Sequence, residues 1–175
     1  MGSIDPDNLS TGSNDAQKEF ELFAIDMSQT DKTTIVKQLM SQMSNVGFCL
    51  LTNVPDFDEE KLGAAIKAYH DLPLETKMQM APKHHNPQSK HLYRGYFPFP
   101  VGDIANKEML ICGRPIEDIS PWEREGCPLY EANPWTESFN SEHAWIKETF
   151  ESHFKIQHDL ALTLIRCFAI GLGKR

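Results

Sequence analysis

The chain has 175 residues, a net charge of −8, and 40% hydrophobic against 24% charged residues. That length and balance suit one soluble domain with a real core. The negative charge, with no basic cluster to offset it, argues against nucleic acid or an anionic membrane surface as a partner.

Residues 1–18 are rich in Ser, Asn, Asp and Gly without periodicity and read as a disordered tail, leaving 19–175 as the folded part. They contain no apolar stretch of the kind a secretory signal needs, and Pro6 stands where myristoylation requires Ser or Thr. The sequon Asn8-Leu9-Ser10 is inert without secretion. Cys49, Cys112, Cys127 and Cys167 show no Cys-x-x-Cys spacing, which points to reduced thiols and a cytoplasmic location.

Glu21 to Ser28 reads as a short strand. Thr30 or Asp31 can then cap a helix whose apolar positions Ile35, Val36, Leu39, Met40 and Met43 recur at three- and four-residue spacing. The methionines in that stripe read as core filler. Gly47 supplies a left-handed stop, and Phe48 to Leu51 is too short an apolar run for another helix, which predicts a buried strand. Asn53 to Pro55 turns the chain. Asp58 caps a second helix with Glu59 and Glu60 in its first turn and Leu62, Ala65, Ile66 and Tyr69 on its buried face; Pro73 stops it.

Met78 to Lys90 reads as a solvated loop. Its His84 and His85, with nearby His91, lack the rigid spacing and neighbouring carboxylate of a metal site. Tyr93 to Phe99 has the aromatic alternation of a strand, with Gly95 marking a bulge or close approach and prolines confining its end to an edge. Lys107 to Gly113 reads as another strand, and Arg114 to Trp135, with four prolines, as a long irregular connection. Ser138 to Ile170 reads as one long amphipathic helix carrying Ile146, Phe150, Phe154, Ala161, Ile165, Phe168 and Leu172 on one face, and Gly171 and Gly173 stop it. Its apolar run from Leu160 to Leu172 is shorter than the ~20 residues a bilayer needs.

Several of these segments are spelled alike in one known family. Ala24-Ile25-Asp26-Met27-Ser28, Gly47-Phe48, Asn53 with a turn proline, Leu72-Pro73-x-Glu75-x-Lys77, Arg94-Gly95-Tyr96, Lys107-Glu108 and Asn133-Pro134-Trp135 together resemble the N-terminal region of the isopenicillin N synthase-like Fe(II)/2-oxoglutarate-dependent oxygenases. Val54-Pro55 departs from the His-Gly that follows the family's asparagine, Asn133-Pro134-Trp135 inverts the family's last two letters, and Asp103 joins the Asp-x-Lys-Glu spelling only loosely. The resemblance implies an α+β fold in which helices and strands flank a double-stranded β-helix, a jelly roll largely absent from this chain. It implies a small-molecule substrate, with Arg94 and Tyr96 on the strand over the mouth of the active site, where a guanidinium can clamp a carboxylate. The alternative is that Arg94 pairs with an acidic neighbour and Tyr96 is core.

Fe(II) and 2-oxoglutarate are implied for a complete member, whose iron is held by two histidines and a carboxylate spelled His-x-Asp and a distant His, with Arg-x-Ser on the keto acid. None of the seven histidines here begins His-x-Asp or His-x-Glu, and no Arg-x-Ser occurs, so no cofactor is expected to bind this chain and no residue is assigned as catalytic or metal-ligating. Two readings follow: the N-terminal portion of an oxygenase, contributing scaffold and part of the substrate mouth, or a truncated, non-catalytic binding module. Under the first, the long helix lacks part of its cover and should self-associate or await a C-terminal barrel.

Overall fold

The computed structural model describes residues 22–100, 102, 107–127 and 129–174. The expected tail at 1–18, Glu21 at the start of the first strand, and Asp103 lie outside the described residues.

Strand β1 (Ala24–Asp26) leads through helix α1 (Lys32–Asn45) to β2 (Leu50–Thr52), which pairs with it in parallel, Ile25 opposite Leu51. Of the two capping candidates the chain uses Asp31, whose carboxylate accepts from the Thr33 amide at 2.9 Å and the Thr34 hydroxyl at 2.6 Å. Gly47 ends α1 at φ 82°, its amide donating to the Gln42 carbonyl at 3.1 Å. Helix α2 (Glu59–His70) is capped by Asp58, which accepts from the Lys61 amide at 2.9 Å.

Pro73 ends that helix and immediately begins another, α3 (Leu74–Gln79), whose last two residues fall in the stretch expected as a loop from Met78. A proline is tolerated there because a helix's first residues need no N–H partner within the helix. Strand β3 (Gly95–Phe97) then pairs antiparallel with β4 (Met109–Ile111), Tyr96 opposite Leu110. The proline-bearing connection is less irregular than its composition suggests: it contains a 3-10 turn at Ile116–Asp118 and the one-turn helix α4 (Pro121–Arg124), where Ser120 and Glu123 form a capping box.

The long C-terminal helix expected from Ser138 is two helices, α5 (Glu137–Glu142) and α6 (Ala144–Gly171), broken at His143 with φ −130° and ψ 30°. The break lets Phe139 on α5 turn into the core, where Trp135 stacks on it with centroids 5.2 Å apart. Helix α6 packs against both α1 and α2 and joins two cores. Near its start Ile146 and Phe150 meet Ala65, Tyr69, Met80, Tyr96 and Phe139; near its end Cys167 and Phe168 meet Ile25, Ile35, Val36 and Leu39.

The face predicted for α6 therefore holds only in part, since Ile146 is buried but Ile165 is 62% exposed. Two further expectations fail in the same way. Ile66 on α2 is 45% exposed, because only Ala65 and Tyr69 of that helix reach full burial. The strand at Phe48 to Leu51 is not buried: Phe48 is 72% and Leu50 52% exposed, and only the face bearing Leu51 lies on α1 and α6.

Gly95 is the position where side-chain absence matters most. It sits at φ 138°, and a Cβ there would come 2.3 Å from the Met80 carbonyl oxygen, so glycine alone lets β3 lie against the 80–82 segment. The Tyr96 amide donates to that same carbonyl at 3.1 Å.

Tyr69 gives the fold its sharpest test. Its ring is fully buried, yet its hydroxyl has no hydrogen-bond partner among the described residues. Because a buried hydroxyl without a partner carries a desolvation penalty, Tyr69→Phe is expected to leave stability unchanged or raise it by about 1 kcal/mol. Urea unfolding measures this; a loss above about 1 kcal/mol would mean that the hydroxyl is bonded.

Candidate functional site

Three segments bring polar side chains to one partly buried carboxylate, Glu108, just ahead of β4. His70 ends α2 and meets it through Nδ1 at 2.8 Å; Lys77, on α3, reaches both its oxygens at 3.0 and 3.1 Å; the Tyr96 hydroxyl, from β3, donates to the second oxygen. The Lys77 Nζ also donates to the His70 carbonyl at 2.8 Å and lies 5.3 Å from the Tyr96 ring centroid. Lys77 can do this because Pro73 restarts the helix and folds the last turn of α3 back beneath the end of α2.

The electrostatics of the cluster follow. Burial alone would raise the Glu108 pKa, but donation from Tyr96, His70 and Lys77 outweighs it and brings it down to about 2. The Tyr96 phenol is pushed well above its ordinary value, first by burial and then by its bond and proximity to Glu108. A carboxylate held ionised and saturated with donors is a poor general acid or base near neutrality. The cluster's chemistry is that of a tie.

A second network lies around Arg94. Its Nη1 donates to the Arg114 carbonyl at 3.0 Å and to Asn133 Oδ1 at 3.1 Å, and its guanidinium packs so closely on Gly113 that a Cβ there would meet it at 2.4 Å. Asn133 holds Gly113 at both backbone groups, accepting from its N–H at 2.9 Å and donating to its carbonyl at 3.0 Å. Glu151 on α6 accepts from Asn133 at 3.2 Å and from the Trp135 indole at 2.7 Å. Beside them Glu131 accepts three successive amides, those of Leu92, Tyr93 and Arg94, at 2.8, 2.6 and 2.6 Å. Burial opposes its ionisation, but the amides prevail and lower its pKa.

Arg94 and Tyr96 are thus both buried, Arg94 at 7% exposure, with their polar ends engaged by protein groups. Tyr96 shares the helix-covered face of its sheet with Leu110; Met109 and Ile111 occupy the open face.

Among the described residues no group of three His, Cys, Asp or Glu side chains is placed to hold a metal ion. His84 and His85 pack edge to face and His85 continues onto Phe97, while His153 sets its ring nitrogens 2.8 and 2.9 Å from the Thr149 and Asp58 carbonyls, joining α6 to the start of α2. The Cys112 thiol is pushed up to about 12, first by burial and then by Glu151, so it is neither a thiolate nucleophile nor a ready ligand. The described residues therefore do not fit an iron, and no chemical step is assigned to them.

Sequence reasoning noted Lys77, Tyr96 and Glu108 separately, as letters of three spellings, and passed over His70, Glu131 and Glu151. Nothing local announces pairings 31 to 38 residues apart.

A family model described as the N-terminal region of the non-haem dioxygenase in morphine synthesis matches residues 23–153. The isopenicillin N synthase of Amycolatopsis lactamdurans is 22% identical over 145 residues, covering 82% of this chain and 43% of that protein. The isopenicillin N synthases of Flavobacterium sp. (strain SC 12,154) and Lysobacter lactamgenus are each 26% identical over 100 residues, which is 57% of this chain and 30% of theirs. The chain spans less than half the length of these relatives.

The Glu108 cluster predicts a particular acid sensitivity. Its folded pKa of about 2 lies below the ordinary 4.5, so its stabilisation is complete above about pH 4.5 and is lost as the pH falls through about 2. Glu108→Gln should cost about 3 to 5 kcal/mol at neutral pH, because it leaves the Lys77 ammonium buried without its counter-charge. It should also flatten the pH dependence of stability between 4.5 and 2. Denaturant unfolding of both proteins across that window checks both effects.

Proposed function

The chain belongs to the family of non-haem dioxygenase N-terminal regions, and from that membership we propose that it is the N-terminal portion of an Fe(II)/2-oxoglutarate-dependent oxygenase acting on a small molecule. Its part is scaffold and one side of the substrate mouth. The iron and the keto acid would supply the oxidising chemistry from residues outside this chain.

The observation that carries the reading is the dress of the two sheets. Each has one face on helices and one open, and an open face of a soluble sheet is ordinarily polar. Here the open side of one sheet carries Leu50, with Phe48 just before the strand, beside the polar Asp26 and Thr52; that of the other carries Met109 and Ile111, and Ile165 and Leu172 are exposed near the end of α6. Covering these six side chains is worth roughly 1.5 kcal/mol each, on the order of 10 kcal/mol together, which approaches the whole stability of a domain. A second layer of structure, such as a jelly roll, is what such faces fit.

Arg94 and Tyr96 enter this proposal as groups that shape the mouth from behind. Their side chains hold β3 and the segment after β4 in place, and through these the open face that a substrate would meet. In the complete enzyme Arg94→Ala is then expected to raise the substrate KM and lower the melting temperature together, because the Arg114 carbonyl and Asn133 lose their donor. A raised KM with an unchanged melting temperature would instead make Arg94 a direct substrate clamp.

The isolated chain offers the test of the fragment reading. With its apolar faces open it should self-associate or bind anilinonaphthalene sulfonate. A compact, dye-silent, cooperatively melting monomer in analytical ultracentrifugation would favour the non-catalytic module over the oxygenase portion.

A further inference from the structure

A groove of about 520 Å³ opens outside the carboxyl ends of β1 and β2, against the middle of α6. Its size lies within the range of small-molecule sites, ~300–1,000 Å³, and the carboxyl ends of parallel strands are where ligands of βαβ units gather. Met27 follows β1, and Val54 and Pro55 follow β2; with Ile156 and Leu160 of α6 they give the groove an apolar floor. The turn is held in a costly backbone shape, since Asn53 and Asp56 both have positive φ, 50° and 61°, without being glycine.

The polar rim is built almost entirely of acceptors. The Ser152 hydroxyl donates to the Thr149 carbonyl at 3.0 Å and the Thr163 hydroxyl to the Asp159 carbonyl at 2.9 Å. Each has spent its single proton and offers only lone pairs to anything else nearby. Lys155, the rim's one cation, is paired with Asp159 at 2.7 Å. The Asp56 carboxylate has no partner among the described residues and leaves the groove one negative charge in excess.

We propose that this groove binds a small amphipathic cation: a primary amine whose compact aromatic or branched body lies on the apolar floor. Its ammonium, with donors and no acceptor, points to Asp56 and the two spent hydroxyls. A carboxylate of the same shape finds only a lysine already engaged, and a neutral alcohol forgoes the charge. The inference stands on the groove alone and does not rest on the oxygenase reading.

The test is titration of the chain with 2-phenylethylamine, phenylacetate and 2-phenylethanol, followed by saturation-transfer and methyl-shift NMR. The amine should bind at least about fivefold more tightly than either analogue, with a preference that shrinks as salt is added. Asp56→Asn, which keeps a residue tolerant of positive φ, should abolish the preference without lowering the melting temperature. Lys155→Met should tighten amine binding by freeing Asp159, and this second variant moves in a direction that simple damage to the fold does not produce. Equal affinity for amine and anion, a preference that survives Asp56→Asn, weaker amine binding in Lys155→Met, or no binding by any of the three overturns the proposal.

Discussion

The ionised carboxylate of Glu108 is the constraint to which the rest of the first core must conform. It draws donors from the end of α2, from α3 and from β3, and it lies at the threshold of β4. A buried charge tolerates the loss of one partner badly, since the remaining groups stay desolvated. These four segments therefore hold their relative positions together or not at all. Apolar packing around Tyr69 and Phe139 supplies the attraction that closes this core, but such contacts have little directional preference. The hydrogen bonds to Glu108 choose one arrangement among those that would bury a similar area.

Helix α6 extends that arrangement to the second core. Its first turns sit with α2 and the β3–β4 sheet, its last with α1 and the β1–β2 sheet. Two side chains in between fix its azimuth: Glu151, accepting from Asn133 and Trp135, and His153, facing the Asp58 carbonyl at the start of α2. The interruption at His143 is part of the same geometry. An unbroken helix would carry Phe139 on a course set by α6, whereas the break frees it to stack with Trp135 and meet Tyr69.

What the sequence made legible was local. Asp31, Gly47, Asp58 and Pro73 each act through neighbours within a few residues, and the structure uses them as capping and turn chemistry predict. Burial was harder to read, because it depends on what lies opposite. Ile66 and Leu50 have the composition of core residues and the exposure of surface ones, since among the described residues no other element covers their side of α2 or of β2. The break at His143 had no proline or glycine to announce it, so periodicity ran straight through. Three family-like spellings supplied Lys77, Tyr96 and Glu108, yet that they meet is a fact of the tertiary fold alone. Arg94 illustrates the same limit: its partners stand 20 and 39 residues away, and one of them is a backbone carbonyl that no side-chain pattern encodes.

The polar and apolar parts of this molecule are consequently in opposite states. In the two networks around Glu108 and Arg94 the charged groups meet partners from distant segments, and the resulting lattice is internally complete. The apolar surface is not complete: each two-stranded sheet turns one hydrophobic side to α-helices and leaves hydrophobic side chains on the other. If the exposed residues were scattered singly they would need no explanation. Leu50 and the preceding Phe48 on the first sheet, and Met109 and Ile111 on the second, instead gather on the sides away from the helices, although Asp26 and Thr52 share the first sheet's open face with Leu50. Exposed apolar groups gathered beside a packed and polar-bonded reverse, more than any single residue, are the surface that a further layer of structure would cover.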